Sequence, residues 1–301
     1  MPVPHPSALT RRRLLAVLAA AAGTAATKAR ARAVLGSEPL AVTLYPALTE
    51  TVVALGVRRF GAAGLSGFRS PIGLVAPSPE AFDVGTAQEP NLELLIQMRP
   101  SMFLHSPEWS PDPDVLRPIA PVVEIPIYEE NGDAYANAVR ALGWTGDLLE
   151  VPGAATAYRQ RVARIMERAR RQVRDWRSLR FLVVNSPDAT EMGTEGPGGL
   201  FDGVLREIGL TNVVSQRGNY WGSTSISMKE LMRLDDVYAV HVGPIPRKLE
   251  QNPFWQVLPF VRQGRIVVLP KIWLWGGLPS AAAFAISLGD AMGAAHDQRR
   301  S

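Results

Sequence analysis

The chain has 301 residues, 47% of them hydrophobic and 20% charged, with a formal charge of +4. That length and balance suit two ordinary globular domains. The absence of cysteine excludes disulfides, thiol nucleophiles, cysteine zinc sites, iron–sulfur clusters and a lipoprotein anchor.

In chain order, the first feature is an address. Thr10-Arg11-Arg12-Arg13 precedes an apolar run from Leu14 to Ala22. The run has the length of a signal h-region and is too short to span a bilayer. Paired arginines in front of it predict a twin-arginine signal peptide over 1–33. Cleavage is expected after Ala31-Arg32-Ala33, with Ala29-Arg30-Ala31 as the alternative. Residues 1–33 hold Arg11, Arg12, Arg13, Lys28, Arg30 and Arg32 and no acid, so removing them leaves a charge of about −2. The basic balance therefore belongs to targeting, and nucleic-acid binding loses its support. No later segment reaches about 18 uninterrupted apolar residues.

Next comes an α/β pattern. Leu40–Leu44 reads as a buried strand and Thr49–Leu55 as a helix closed near Gly56. Asn91 caps a helix that ends before Pro100. Ser101–His105 and Val122–Ile125 read as strands, and Tyr135–Leu142 as a helix. Residues 152–176 then predict one long helix, with apolar residues at Ala155, Tyr158, Val162, Ile165, Ala169 and Val173. Its arginines read as a solvated face.

The pattern restarts after it. Strands are expected at Arg180–Val184, Val237–Val242 and Arg265–Leu269. Helices are expected at Leu200–Ile208, Met228–Leu234 and Ser280–Met292. Alternating strands and helices imply mostly parallel sheets. The expected architecture is two Rossmann-like α/β lobes, 34–151 and 177–301, bridged by the single helix of 152–176. A ligand cleft is expected between them.

Few residues suit catalysis. Beyond the leader, His105, His241 and His296 are far apart and unpaired in sequence, which argues against a metal cage. Gly193-Thr194-Glu195-Gly196-Pro197-Gly198-Gly199 lacks the Lys-Ser/Thr ending of a phosphate loop and reads as a turn opening a helix. Ser106 and Ser280 have no nucleophile-elbow context. Tryptophan stands out instead. Trp109, Trp221, Trp273 and Trp275 lie in loops or at strand ends, where clefts form. Trp273 and Trp275, two apart, point to one side of an extended backbone and offer an aromatic wall with N–H donors. Trp144, Trp176 and Trp255 read as core filling.

These residues carry a resemblance. Asp83-Val84-Gly85 with Glu89-Pro90-Asn91-Leu92-Glu93-Leu94-Leu95 resembles the N-lobe signature of the FhuD-type periplasmic ferric-hydroxamate siderophore-binding proteins. Asn219-Tyr220-Trp221-Gly222-Ser223-Thr224 is similar to their C-lobe ligand loop. Pro253 to Arg265 and Trp273-Leu274-Trp275-Gly276 continue the likeness, which runs from about Ala41 to Met292. It implies a periplasmic substrate-binding protein of an ABC importer, not an enzyme. Such a protein would act as a monomer and pass an intact ferric siderophore to an inner-membrane permease and its ATPase, after export by the twin-arginine machinery. The siderophore carries the iron, so no cofactor and no protein metal ligands are implied.

By position, the resemblance implies ligand contacts at Trp109, Trp221, Trp273, Leu274, Trp275 and Asn219. The relatives' hydroxamate-binding arginine falls at Ala87, with Gln88 and Arg69 nearby as substitutes. A family tryptophan is replaced at Pro71. Glu93 and Glu230 match surface glutamates that dock on the permease. The cleft loops hold few cations, which favours weakly charged hydroxamates over anionic catecholates. A ferric catecholate, haem or a corrinoid is the alternative ligand in the same transport role. A siderophore-processing enzyme or a ligand-free interaction module is the alternative function.

Overall fold

The computed structural model describes residues 40–68, 75–107, 109–186 and 192–300. The expected signal peptide at 1–33, Arg69 and Pro71 lie outside them. The first lobe runs β1 (Ala41–Thr43), α1 (Pro46–Ala54), β2 (Gly61–Ala62), α2 (Leu65–Phe68), β3 (Phe82–Asp83), α3 (Leu92–Met98), β4 (Met102–His105), α4 (Pro113–Leu116) and β5 (Val122–Glu124). Its strands pair in the order β3-β2-β1-β4-β5, all parallel. The order reverses between β1 and β4, which opens a crevice at the carboxyl ends of those strands.

Two helices follow, α5 (Ala134–Leu148) and α6 (Pro152–Gln172), the second continued by a 3₁₀ turn at Arg174–Trp176. α5 extends well beyond Leu142, through Gly143 and Gly146. Packing against α6 outweighs the helix cost of the two glycines. α6 buries Ala155, Tyr158, Val162, Met166 and Ala169, one stripe at helical spacing. Two of its exposed arginines are ion-paired, Arg168 with Asp290 at 2.7 Å and Arg171 with Glu167 at 3.1 Å. Exposed pairs of this kind contribute little to stability.

The second lobe runs β6 (Arg180–Asn185), β7 (Gly193–Glu195), α7 (Leu200–Ile208), β8 (Thr211–Asn212), β9 (Ser223–Ser225), α8 (Met228–Leu231), β10 (Val237–Val242), α9 (Arg247–Glu250), α10 (Pro253–Gln256), α11 (Pro259–Arg262), β11 (Ile266–Leu269) and α12 (Leu278–Arg300). Its sheet has the order β11-β10-β6-β7-β9, with β8 also paired to β6. The expectation of parallel strands holds for β6, β8, β10 and β11. It fails for β7 and β9, which run antiparallel. The glycine-rich stretch is correspondingly only half a turn: Gly193–Glu195 forms β7, and Gly196–Gly199 alone leads into α7.

α12 is longer than expected at both ends. Its segment Leu278–His296 is long and apolar enough to cross a membrane by composition. Its buried Ala282, Phe284, Leu288 and Met292 are instead part of the protein core, with α12 packed on α6, α7 and α1. Phe284 stacks on Phe201 at 4.3 Å. This core is continuous from α1 of the first lobe through α6 to α7 and α12, so the two sheets share one interior. Trp176 and Trp255 are core residues as expected. Trp144 is not. It is 50% exposed, because Gly143 and Trp144 fall on the outer face of α5.

Candidate functional site

Loops at the carboxyl ends of strands from both sheets bring five aromatic rings together. Tyr45 follows β1, Trp109 follows β4 and Tyr128 follows β5. Trp221 comes from the β8–β9 loop and Trp275 from the loop after β11. Trp221 is the hub. Its ring centroid lies 5.3 Å from Tyr128, 5.6 Å from Trp275, 5.9 Å from Trp109 and 6.4 Å from Tyr45. Trp109 and Trp275 close the cluster at 6.2 Å. Tilted and edge-on rings at such distances attract by about 0.5–1.5 kcal/mol per pair.

The Trp221 loop is shaped by Asn219, whose Oδ1 accepts from the backbone N–H groups of Trp221 at 3.0 Å and Ser223 at 3.1 Å. Gly222 follows with φ +74°, and a Cβ there would lie 2.4 Å from the Gly199 backbone. Only glycine fits that turn. Asn219, expected near the ligand, thus builds the loop through its side-chain oxygen.

The expected wall of Trp273 and Trp275 is corrected by the structure. The backbone turns at Leu274–Trp275 instead of staying extended, so the two rings part. Trp275, 36% exposed, joins the cluster. Trp273 packs on Phe68 at 5.5 Å, and its Nε1 is buried without a hydrogen-bond partner among the described residues. Leu274 is half-buried against the shared core. Gln88 is exposed on the turn before α3, and Ala87 is buried in the first lobe with Val84, Leu95 and Phe103.

Two buried carboxylates stand behind the rings, and neither has a sequence motif. Glu195 accepts from the Ser223 hydroxyl at 3.3 Å, and Ser223 in turn accepts from the Trp275 indole N–H at 3.4 Å. Burial pushes Glu195 up to about 8 against the lowering effect of Ser223. Glu50, in α1, accepts from the Gly277 N–H at 2.9 Å and the Ser280 hydroxyl at 2.6 Å. Burial raises it to about 7. Sequence reasoning missed Glu50; the one signal available was a lone acidic residue inside the mostly apolar Pro46–Ala54 helix. Tyr45 and Tyr128 carried no signal beyond a place near strand ends.

The histidines are structural. His105 Nε2 lies 2.9 Å from the Pro111 carbonyl oxygen. His241 is held by Gly243 and Ser186 at 2.8 and 3.2 Å. His296 pairs with Asp175 at 3.8 Å. Among the described residues no group of three His, Cys, Asp or Glu side chains converges as a metal site would. The arrangement suits binding of an aromatic-compatible ligand.

Glu93 and Glu230 are both exposed, each in the first turn of a short helix, one per lobe. Glu230 completes a capping box: its Oε2 accepts from the Ser227 N–H at 2.8 Å and hydroxyl at 2.5 Å. Those bonds, the hydroxyl first, lower its pKa.

Residues 41–272 match the family described as periplasmic binding protein. The chain is 30% identical over 248 residues to the iron(3+)-hydroxamate-binding protein FhuD of Escherichia coli (strain K12), covering 81% of this chain and 83% of that protein. Its fold matches the siderophore-binding protein FhuD from Vibrio cholerae, solved with Fe3+–Desferal, with TM-score 0.79 and 23% identity over 86% of this chain and 99% of that one. It also matches a periplasmic heme-binding protein from Pseudomonas aeruginosa, with TM-score 0.61 and 26% identity over 84% and 93% of the two chains.

Proposed function

The chain belongs to the periplasmic binding protein family, and from that premise we propose that it captures a ferric hydroxamate siderophore for an ABC importer. Membership makes it a binding protein and not an enzyme. The carrying observation is the cluster of Trp109, Trp221 and Trp275 at the junction of two lobes. Indole faces suit the apolar skirt of an intact iron complex, and the complex brings its own iron ligands. The rings that make the cluster, Tyr45, Trp109, Tyr128, Trp221 and Trp275, carry no positive charge, and a weakly charged ligand suits them better than an anionic tris-catecholate. Likeness to the Escherichia coli hydroxamate-binding protein supports the same choice. The 26% identity to a heme-binding protein keeps haem as the second reading.

In this proposal Trp109, Trp221 and Trp275 form the ligand face, with Trp273 and Leu274 at its margin. Gln88 and Arg69 stand in for the arginine that Ala87 lacks. The protein is exported through its twin-arginine signal peptide and works as a monomer in the periplasm. The lobes 34–151 and 177–301 flank the bridging segment 152–176. Calorimetric titration with ferric desferrioxamine B, a ferric tris-catecholate and haemin tests the ligand. Saturable binding of the hydroxamate, tighter than of the other two, is expected. A reversed order would replace the ligand and keep the transport role.

Glu93 and Glu230 then face the permease. A double Glu93→Ala, Glu230→Ala variant should bind ligand as before and fail to support uptake in a reconstituted transporter. Unchanged uptake would remove their docking role.

A further inference from the structure

The ligand-facing loop of the second lobe is gripped from the first. Tyr45 donates its hydroxyl hydrogen to the Trp275 carbonyl oxygen at 3.0 Å. Tyr128 donates to the Gly276 carbonyl oxygen at 3.0 Å. Glu50 accepts from the Gly277 N–H at 2.9 Å and the Ser280 hydroxyl at 2.6 Å. Three successive residues and one side chain of one lobe are thus bonded by three side chains of the other. Tyr45, Tyr128, Glu50 and Ser280 are all buried.

The approach is close. A Cβ on Gly276 would lie 2.2 Å from Ser280 Oγ and 2.9 Å from Glu50 Oε2. A Cβ on Gly277 would lie 2.7 Å from the Ala47 carbonyl oxygen. The two glycines let the strand of backbone lie directly on α1. Burying a carboxylate is unfavourable unless its acceptors are filled, and an apolar residue would fill the same place at less cost. Glu50 is therefore explained by what its two oxygens hold. From the other side, the Trp275 indole is bonded to Ser223, which is bonded to Glu195.

We propose that Glu50 is a positioning residue for the ligand cleft. It fixes the Trp275 loop from the opposite lobe, so the aromatic face assembles only when the two lobes are in register. This rests on the aromatic cluster being the ligand site. A glutamine at 50 keeps the geometry, because its carbonyl accepts from Gly277 and its amide donates to the Ser280 hydroxyl. An aspartate keeps the carboxyl group but is one methylene too short.

Hydrogen exchange of the full mature chain, read on amides 275–281, tests the clamp. Binding of ferric desferrioxamine B to the same proteins is measured alongside. The variants are Glu50→Gln, Glu50→Asp, Glu50→Ala and Tyr128→Phe. Leu249→Ala, in the separate core of the second lobe, serves as a control for general destabilisation. Exchange at 275–281 should rise at least tenfold in Glu50→Asp and Glu50→Ala, rise less in Tyr128→Phe, and stay near wild type in Glu50→Gln and Leu249→Ala. Affinity should fall at least tenfold in Glu50→Asp only alongside that loosening. Wild-type exchange in Glu50→Asp, or equal loosening in Leu249→Ala, would overturn the clamp. Wild-type affinity in a loosened Glu50→Asp would overturn its part in binding. If the wild type itself takes up no ferric desferrioxamine B, the ligand reading fails while the exchange data still decide the clamp.

Discussion

Glu50 and Glu195 are the residues whose chemistry departs furthest from a surface carboxylate. Burial raises them from an ordinary value of 4.5 to about 7 and about 8. A carboxyl group with a raised folded pKa favours the fold in its protonated form. Its contribution is complete below pH 4.5 and is lost as the pH rises through the folded value. Chemical denaturation should therefore give a lower stability at pH 9 than at pH 5, by roughly 3 kcal/mol from Glu50 alone. Glu195→Gln should leave stability near wild type at pH 5 and raise it relative to wild type at pH 9. A pH-independent difference between the two proteins would contradict the assignment. Neither glutamate belongs to a spacing motif. Glu50 becomes significant only when Gly277 and Ser280, more than two hundred residues away, fold onto it. The tryptophans were legible, because loop positions beside Pro and Gly are where clefts form. Their partners were not: Trp273 and Trp275 separate at a turn that alternation along a strand does not reveal.

At the scale of elements, local rules carried much of the fold. Asn91 was readable as an N-cap, and its Oδ1 accepts from the Leu94 N–H at 2.9 Å. Asn91→Ala should cost about 1 kcal/mol by thermal unfolding, and it should loosen α3, which presents Glu93. An unchanged melting temperature would show the cap to be dispensable. The helix Leu200–Ile208, closed by Gly209, was legible to the residue. The two-residue strands Gly61–Ala62 and Phe82–Asp83 were not, since periodicity needs more residues than they have. β7 was hidden by the glycines within and after it, Gly193, Gly196, Gly198 and Gly199. The helices around Pro253 and Pro259 begin at prolines, which favour a first helical turn, but each is a single turn with no repeat to detect.

For the whole molecule, the two-lobed plan follows from strands alternating with helices on either side of α6. The shared interior does not. α12 is coded at the end of the second lobe yet packs on α1 as well as on α6 and α7, and so joins the lobes. Further joints come from Arg206 to Asp133 at 2.7 Å and from Arg217 to the Gly132 carbonyl oxygen at 3.0 Å. Tyr220 adds a hydroxyl bond to the Tyr128 carbonyl oxygen. In the proposed function a ligand entering between the lobes meets this aromatic cluster, and the main change on binding should be at the rings themselves.

Tryptophan fluorescence reads that change directly. The purified mature protein is titrated with ferric desferrioxamine B, beside a Trp221→Ala variant that removes the hub of the cluster. Saturable quenching is expected in the wild type, with at least a tenfold weaker affinity in Trp221→Ala at unchanged secondary structure. Quenching that does not saturate, or that keeps its affinity without Trp221, would contradict the placement of a hydroxamate ligand on this aromatic face.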